Sequence, residues 1–203
     1  MNFVEFKRNQ SGILIPYENG VALCDSKDPI AEAAYWLDRQ PRIRGSCFVL
    51  GIGRGDHIRG LIKRDNPTWV HAVELRDHLA PIVFADEPEI ESRIQIHRVS
   101  SAEEVLRSGL VEMAADKGMP VLGFEPGFGA QEEEFYKIWQ HLTGRSKSAL
   151  ERISKHWNLD LSVEELNDDG RWLSIKDLAM VVDTQSRGNP LVTVVSVLRE
   201  LVL

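Results

Sequence analysis

An α/β fold built on a parallel, Rossmann-like sheet is what the sequence predicts, and three observations predict it. A short apolar run, Cys47 to Leu50, breaks into glycines at alternate positions, Gly51, Gly53 and Gly55, as a strand does when it turns sharply into a helix. Helical spacing follows at once in Ile58, Leu61 and Ile62. A second apolar run, Trp69 to Val73, then closes on Glu74, nineteen residues after Gly55, where Rossmann-type folds place the carboxylate that receives ribose hydroxyls.

Before that unit, residues 2 to 24 read as a β-meander. Its strands are Phe3 to Phe6, Ile13 to Ile15 and Val21 to Cys24, with turns at Asn9 to Gly12 and at Glu18-Asn19-Gly20. Asp28 then caps a helix that has Pro29 in its first position and stops before Pro41. From Cys47 onward strands and helices alternate, as crossover connections in a parallel sheet require. The strands are Cys47 to Leu50, Trp69 to Glu74, Arg93 to Val99 and Pro120 to Phe124; the helices are Asp56 to Arg64, Leu79 to Ala85 and Ala102 to Asp116. Gln131 to Leu142 is amphipathic, with Gly144 as its C-cap, and Ser146 to Trp157 continues the helical pattern. Ser162 to Leu166 and Ser174 to Val182 read as short capped helices. Leu191 to Leu203 fits a helix by spacing or a strand by its valines, and is taken as helix. This gives a Rossmann-like domain with its meander over residues 1–157 and a helical segment over 158–203.

Composition narrows the function. The 203 residues are 43% hydrophobic with a formal charge of −7, which suits a soluble globular chain and disfavours nonspecific contact with nucleic acid or anionic membranes. Cys24 and Cys47 do not form a C-x-x-C pair, so neither a disulfide framework nor a cysteine metal site is expected. With no long apolar run and no leader in MNFVEFKRNQ, a cytoplasmic location is expected. H-E-x-x-H, G-x-S-x-G and G-K-[ST] motifs are all missing, which removes support for zinc protease, α/β-hydrolase and P-loop chemistry.

The candidate ligand residues are Gly51, Gly53, Gly55 and Asp56 in the turn, with Glu74 opposite. Asp56 stands where a dinucleotide fingerprint has its third glycine, which argues against NAD. The G-x-G-x-G spacing is similar to the loop of class I S-adenosylmethionine-dependent methyltransferases, although many of those carry an acid where this chain has Val49. The resemblance implies a cradle for the methionine part of S-adenosylmethionine at the three glycines and a ribose contact at Glu74. It also points to Ser100 or Ser101 at an adenine edge, where the other reading is a helix N-cap. Glu125, just beyond the fourth parallel strand, is a candidate general base or orienting group for a substrate amine; the other reading is an ordinary loop acid. His57 reads as a ligand contact or a solvated helix residue, within a basic face with Arg59, Lys63 and Arg64. His71 and His97 read as packing residues inside strands.

Several segments together resemble the N-terminal region of the motility-associated-factor glycosyltransferase family, bacterial proteins linked to flagellin glycosylation. They are the opening meander, LCDSKDPIAEAAYWLD, GDHIRGLIKR, VEL, FEPGF and EEEFYKIW. In that family sugar transfer is attributed to a following central domain. The resemblance therefore implies a non-catalytic accessory module, with the segment from about Ser162 contacting a protein partner or a second copy. Two functions are thus expected from the sequence: a nucleoside-binding protein of the methyltransferase type, and such an interaction module.

Overall fold

In the computed structural model the structure describes residues 4–85 and 87–159, together with 163, 166, 173, 174, 177 and 178. The expected helices at Ser162 to Leu166 and Ser174 to Val182 fall largely outside these residues, and Leu191 to Leu203 falls wholly outside them. The chain divides into two compact units. One comprises residues Met1–Glu104 and Met119–Trp139, the other Val105–Gly118 and Gln140–Leu203.

The first unit opens with the meander, β1 (Val4–Arg8), β2 (Leu14–Glu18) and β3 (Val21–Ala22), paired antiparallel in that order. Asn19 and Gly20 make its two-residue turn, both with positive φ (50° and 83°), the type I′ geometry whose twist matches the strands. That turn brings Glu18 opposite Val21. Helix α1 (Pro29–Arg39) follows, with the Asp28 carboxylate accepting from the Ala31 N–H as its cap.

The second sheet has four parallel strands, β4 (Cys47–Leu50), β5 (Val70–Glu74), β6 (Ile94–Arg98) and β7 (Val121–Gly123), in the order β6-β5-β4-β7. Counting parallel strands along the chain, that order is 3-2-1-4, the Rossmann-like arrangement in which the first strand lies at the centre and the chain switches direction beside it. Every residue of β4 and β5 is buried, which explains their continuous apolar runs. Helices α2 (Asp56–Asp65), α3 (Leu79–Val83), α4 (Pro88–Glu91) and the start of α5 (Ala102–Arg107) supply the crossovers. Ile58, Leu61, Leu79 and Phe84 pack with Val49, Ala72 and Ile94 in the main core. Each fully buried side chain of this size contributes about 1.5–3 kcal/mol.

A 3₁₀ segment, Glu125–Gln131, joins β7 to α7 (Glu132–Leu142). In the second unit, Ser146 caps α8 (Lys147–Trp157) by accepting from the Ala149 N–H. Helix α8 packs with α6 (Leu110–Lys117), where Arg152 pairs with Glu112 at 2.5 Å. The sequence predicts one helix over Ala102 to Asp116; instead Gly109, at φ 80°, ends α5 and starts α6. Glycine relieves the Cβ clash that makes this conformation costly for other residues.

Candidate functional site

The carboxyl ends of β4, β5 and β7 meet at one place, and five sequence-predicted residues come together there: Gly51, Gly53, Gly55, Asp56 and Glu74. The three glycines all take positive φ, 80°, 50° and 82°, which is the turn that alternate glycines imply. Glu74 ends β5 and points into that turn, its Oε2 accepting from the Ile52 N–H at 2.9 Å.

The rest of the Glu74 carboxylate is held by the chain itself. Its Oε1 accepts from the Leu75 N–H at 3.0 Å, the Arg76 N–H at 3.2 Å and the Arg76 guanidinium Nη1 at 2.7 Å. The residue has no exposed surface. Burial raises its pKa, opposed by the charge of Arg76 and by the N–H bonds. A carboxylate offers about four acceptor positions, and four N–H groups of this chain already aim at this one.

Arg76 is the hub of the site, and sequence reasoning does not pick it out. Beyond Glu74, its Nη1 donates to the Gly127 carbonyl at 3.0 Å, and its Nη2 donates to Glu18 Oε2 at 2.8 Å and to the Phe128 carbonyl at 2.6 Å. Glu18 is itself fully buried and accepts from Gln131 Nε2 at 2.6 Å and the Ala130 N–H at 3.3 Å. Burial pushes its pKa up, and the Arg76 contact, with Gln131 and Ala130, outweighs that and leaves it below the ordinary carboxylate value. One guanidinium thus ties the meander, the end of β5 and the turn after β7 together. The only local signal was an arginine two residues after the acid in Val73-Glu74-Leu75-Arg76.

The turn after β7 lies directly over the glycine loop. A Cβ on Gly51 would stand 3.0 Å from a ring carbon of Phe128 and 3.1 Å from the Phe124 carbonyl. One on Gly53 would stand 2.5 Å from the Leu23 carbonyl and 2.9 Å from the Phe124 ring. The glycines admit the protein's own Phe124-Pro126-Phe128 segment, and they are needed for that close approach. His57, in the first turn of α2, is buried and not solvated as its basic neighbours suggest. Its ring stacks on Phe124 with centroids 3.8 Å apart, and its Nε2 lies 3.1 Å from the Gly51 carbonyl. Desolvation lowers its pKa to about 3, so the ring is neutral at physiological pH and Nε2–H donates to that carbonyl.

The remaining candidates lie around this centre. Asp56 is held by Arg54 through two bonds of 2.6 and 2.9 Å. The Ser100 hydroxyl and N–H both donate to Glu104 Oε2 at 2.7 Å, while Ser101 Oγ accepts from the Glu104 N–H at 3.3 Å. This is the reciprocal capping pattern of a helix start. Two residues of the basic face of α2 are committed too: Arg59 pairs with Glu87, and Arg64 pairs with Asp65 at 2.6 Å. His71 and His97 pair across β5 and β6 at 3.0 Å, and desolvation with the neighbouring ring lowers His97 to about 4. Burial lifts the thiols of Cys24 and Cys47 to about 12, so neither is a thiolate at neutral pH.

Glu125 sits apart, exposed at the start of the 3₁₀ segment, with the Tyr136 hydroxyl 3.4 Å from its Oε1. It borders two clefts of about 220 and 370 Å³, lined by Trp36, Tyr35, Tyr136 and Trp139 among others. Trp36 donates its indole N–H to the Gly123 carbonyl at 2.7 Å, on the side of β7 that faces away from β4. Among the described residues no group of three or more histidine, cysteine or acidic side chains could hold a metal ion, and no helix is long and apolar enough to cross a membrane.

The test for a nucleoside at the glycine loop is therefore one of capacity. In this arrangement Glu74 has no exposed surface for ribose hydroxyls, its Oε1 carries three N–H bonds and its Oε2 one, and aromatic rings stand against the glycines. The residues present do not fit the cofactor there.

Comparison with known proteins gives a partial likeness to solved structures and no family. No protein-family model matches the chain, and no curated protein sequence matches it. Among solved structures it is similar to the spermidine synthase of Thermotoga maritima (16% identity, TM-score 0.35, covering 53% of this chain and 40% of that one). It is likewise similar to a spermidine synthase in complex with the transition state analogue AdoDATO (16% identity, TM-score 0.44, covering 75% and 60%). The chain thus spans less than two thirds of the length of both, 40% of one and 60% of the other.

Proposed function

We propose that this chain is a non-catalytic module of the Rossmann-like, methyltransferase type, acting by recognition and not by transfer from S-adenosylmethionine. The observation that carries this reading is the enclosure of Glu74. The acid that would receive a ribose takes four N–H groups from Ile52, Leu75 and Arg76 and is sealed from solvent. A nucleoside that took both oxygens of Glu74 would displace the Glu74–Arg76 contact and leave the buried guanidinium with one carboxylate, Glu18, and the Gly127 and Phe128 carbonyls, a cost of several kcal/mol before any binding is gained.

The second reading is a nucleoside-binding protein that takes S-adenosylmethionine at Gly51 to Gly55. What favours it is the direction of Glu74, which aims into the glycine turn and reaches the Ile52 N–H. In that case Arg76 would swing out to free the acid, and Glu125 would face the acceptor.

Native mass spectrometry separates the two. The protein is purified without denaturation, then incubated with S-adenosylhomocysteine and sprayed under gentle conditions. Unliganded chain in both spectra supports the recognition module; a retained or added nucleoside mass overturns it in favour of the second reading.

A further inference from the structure

Among the described residues the parallel sheet ends at β6, and this edge has an organisation that the site does not use. The hydrogen bonds from Val70 N–H to the Arg93 carbonyl and from Val99 N–H to the Glu74 carbonyl fix which residues of β6 face β5. Odd-numbered residues do. In a ladder the even-numbered residues then direct their N–H and C=O groups outward, so Ile94, Ile96 and Arg98 present a row of backbone donors and acceptors along the sheet edge. Natural proteins cover or disrupt such an edge, or pair it. Here it is flanked by a cleft of about 270 Å³ whose walls are Ala80, Pro81 and Phe84 beside Ile94 and Ile96, with Glu91 and Arg98 also lining it. Ile82, on the neighbouring helix α3, is half exposed.

From this we infer that β6 pairs with β6 of a second copy of the chain, antiparallel about a two-fold axis at Ile96. A two-fold puts residue 96 opposite 96 and residue 94 opposite 98. Because all three carry outward backbone groups, these become the mutually hydrogen-bonded pairs of the new ladder. Side chains opposite one another share a face, so the two clefts join into one apolar strip.

Charge selects this partner over an unrelated strand. β6 advances about 13 Å from Ile94 to Arg98, with Glu91 at the Ile94 end of the cleft and Arg98 at the other. The antiparallel copy carries its Arg98 to the Ile94 end, beside Glu91, and receives the reciprocal contact. The edge is thus self-complementary in backbone, apolar surface and charge, and the two sheets join into one of eight strands. The inference stands apart from the nucleoside question, because it uses the edge of β6 that faces away from β5 and is the same whether or not Glu74 accepts a ligand.

The test is the mass of the intact protein by sedimentation or light scattering at about 100 µM, a concentration that populates a micromolar dimer. Twice the chain mass is expected. Arg98→Glu places acid against Glu91 in both contacts and is expected to weaken the dimer at least about tenfold. The double variant Glu91→Arg, Arg98→Glu restores the pairing and is expected to recover it. Circular dichroism on each variant confirms that the fold is kept. Monomer for the native protein, or a dimer that Arg98→Glu leaves unchanged, overturns the inference. So does a double variant that stays as weak as the single one while folded.

Discussion

Arg76 Nη2 reaches Glu18 Oε2 at 2.8 Å across 58 positions of sequence, with both side chains essentially without exposed surface. The same guanidinium holds Glu74 at 2.7 Å, so a hairpin outside the parallel sheet is locked to the carboxyl end of the sheet by two buried ion pairs. Removing one partner of such a cluster strands the charge of the other. Arg76→Met is therefore expected to lower the unfolding free energy by about 3–5 kcal/mol in urea titration. The triple variant Glu18→Gln, Arg76→Met, Glu74→Gln is expected to cost less than the single one, because no unpaired charge stays buried.

Gly53→Ala tests the closeness of the turn after β7. Its Cβ would stand 2.5 Å from the Leu23 carbonyl, which is backbone and cannot yield like a side-chain tip, and Gly53 has positive φ. A loss of more than about 2 kcal/mol is expected. Gly118→Ala is the control: φ is also positive, at 55°, but nothing lies within 4 Å, so only about 1 kcal/mol is expected to be lost there.

His57 makes stability depend on pH. Its folded pKa is lowered from 6.5 to about 3. The unfolded chain therefore binds the proton first, and the neutral ring's contribution is complete above pH 6.5 and is lost as pH falls towards 3. The slope is about 1.4 kcal/mol per pH unit for one group inside that window. His57→Phe keeps a ring against Phe124 and removes the titration. Urea melts at pH 6 and pH 4.5 are expected to differ by about one proton's worth less for the variant than for the native chain.

Trp36 donates its indole N–H to the Gly123 carbonyl on the side of β7 away from β4. Trp36→Phe retains most of the apolar contact and leaves that carbonyl without its indole donor. A loss of about 1 kcal/mol in thermal or urea unfolding is expected.

Some of this was legible along the chain, and the difference is physical. The four parallel strands were readable because burial on both faces leaves continuous apolar runs such as Cys47 to Leu50. The Asn19-Gly20 turn was readable because positive φ at two consecutive positions selects those residues. The second meander strand was misplaced by Pro16, which sits inside it opposite Phe6. Glu74 could be found because its distance from the glycine turn is set by one crossover. Glu18 could not, since a contact made by folding a hairpin over a sheet leaves no period in the sequence. His57 read as solvated because its neighbours along α2 are basic, yet Trp36 packs edge-on against its ring at 5.2 Å, and Phe124 covers its face.

The most direct test of the account is calorimetric titration of the native protein with S-adenosylmethionine and S-adenosylhomocysteine up to about 1 mM, where a dissociation constant of 1 mM corresponds to only about 4 kcal/mol of binding. Enclosure of Glu74 by Arg76 and the neighbouring amides is expected to give no heat of binding from either compound. Saturable, one-to-one binding in the micromolar range, abolished by Glu74→Ala in a folded variant, would contradict it.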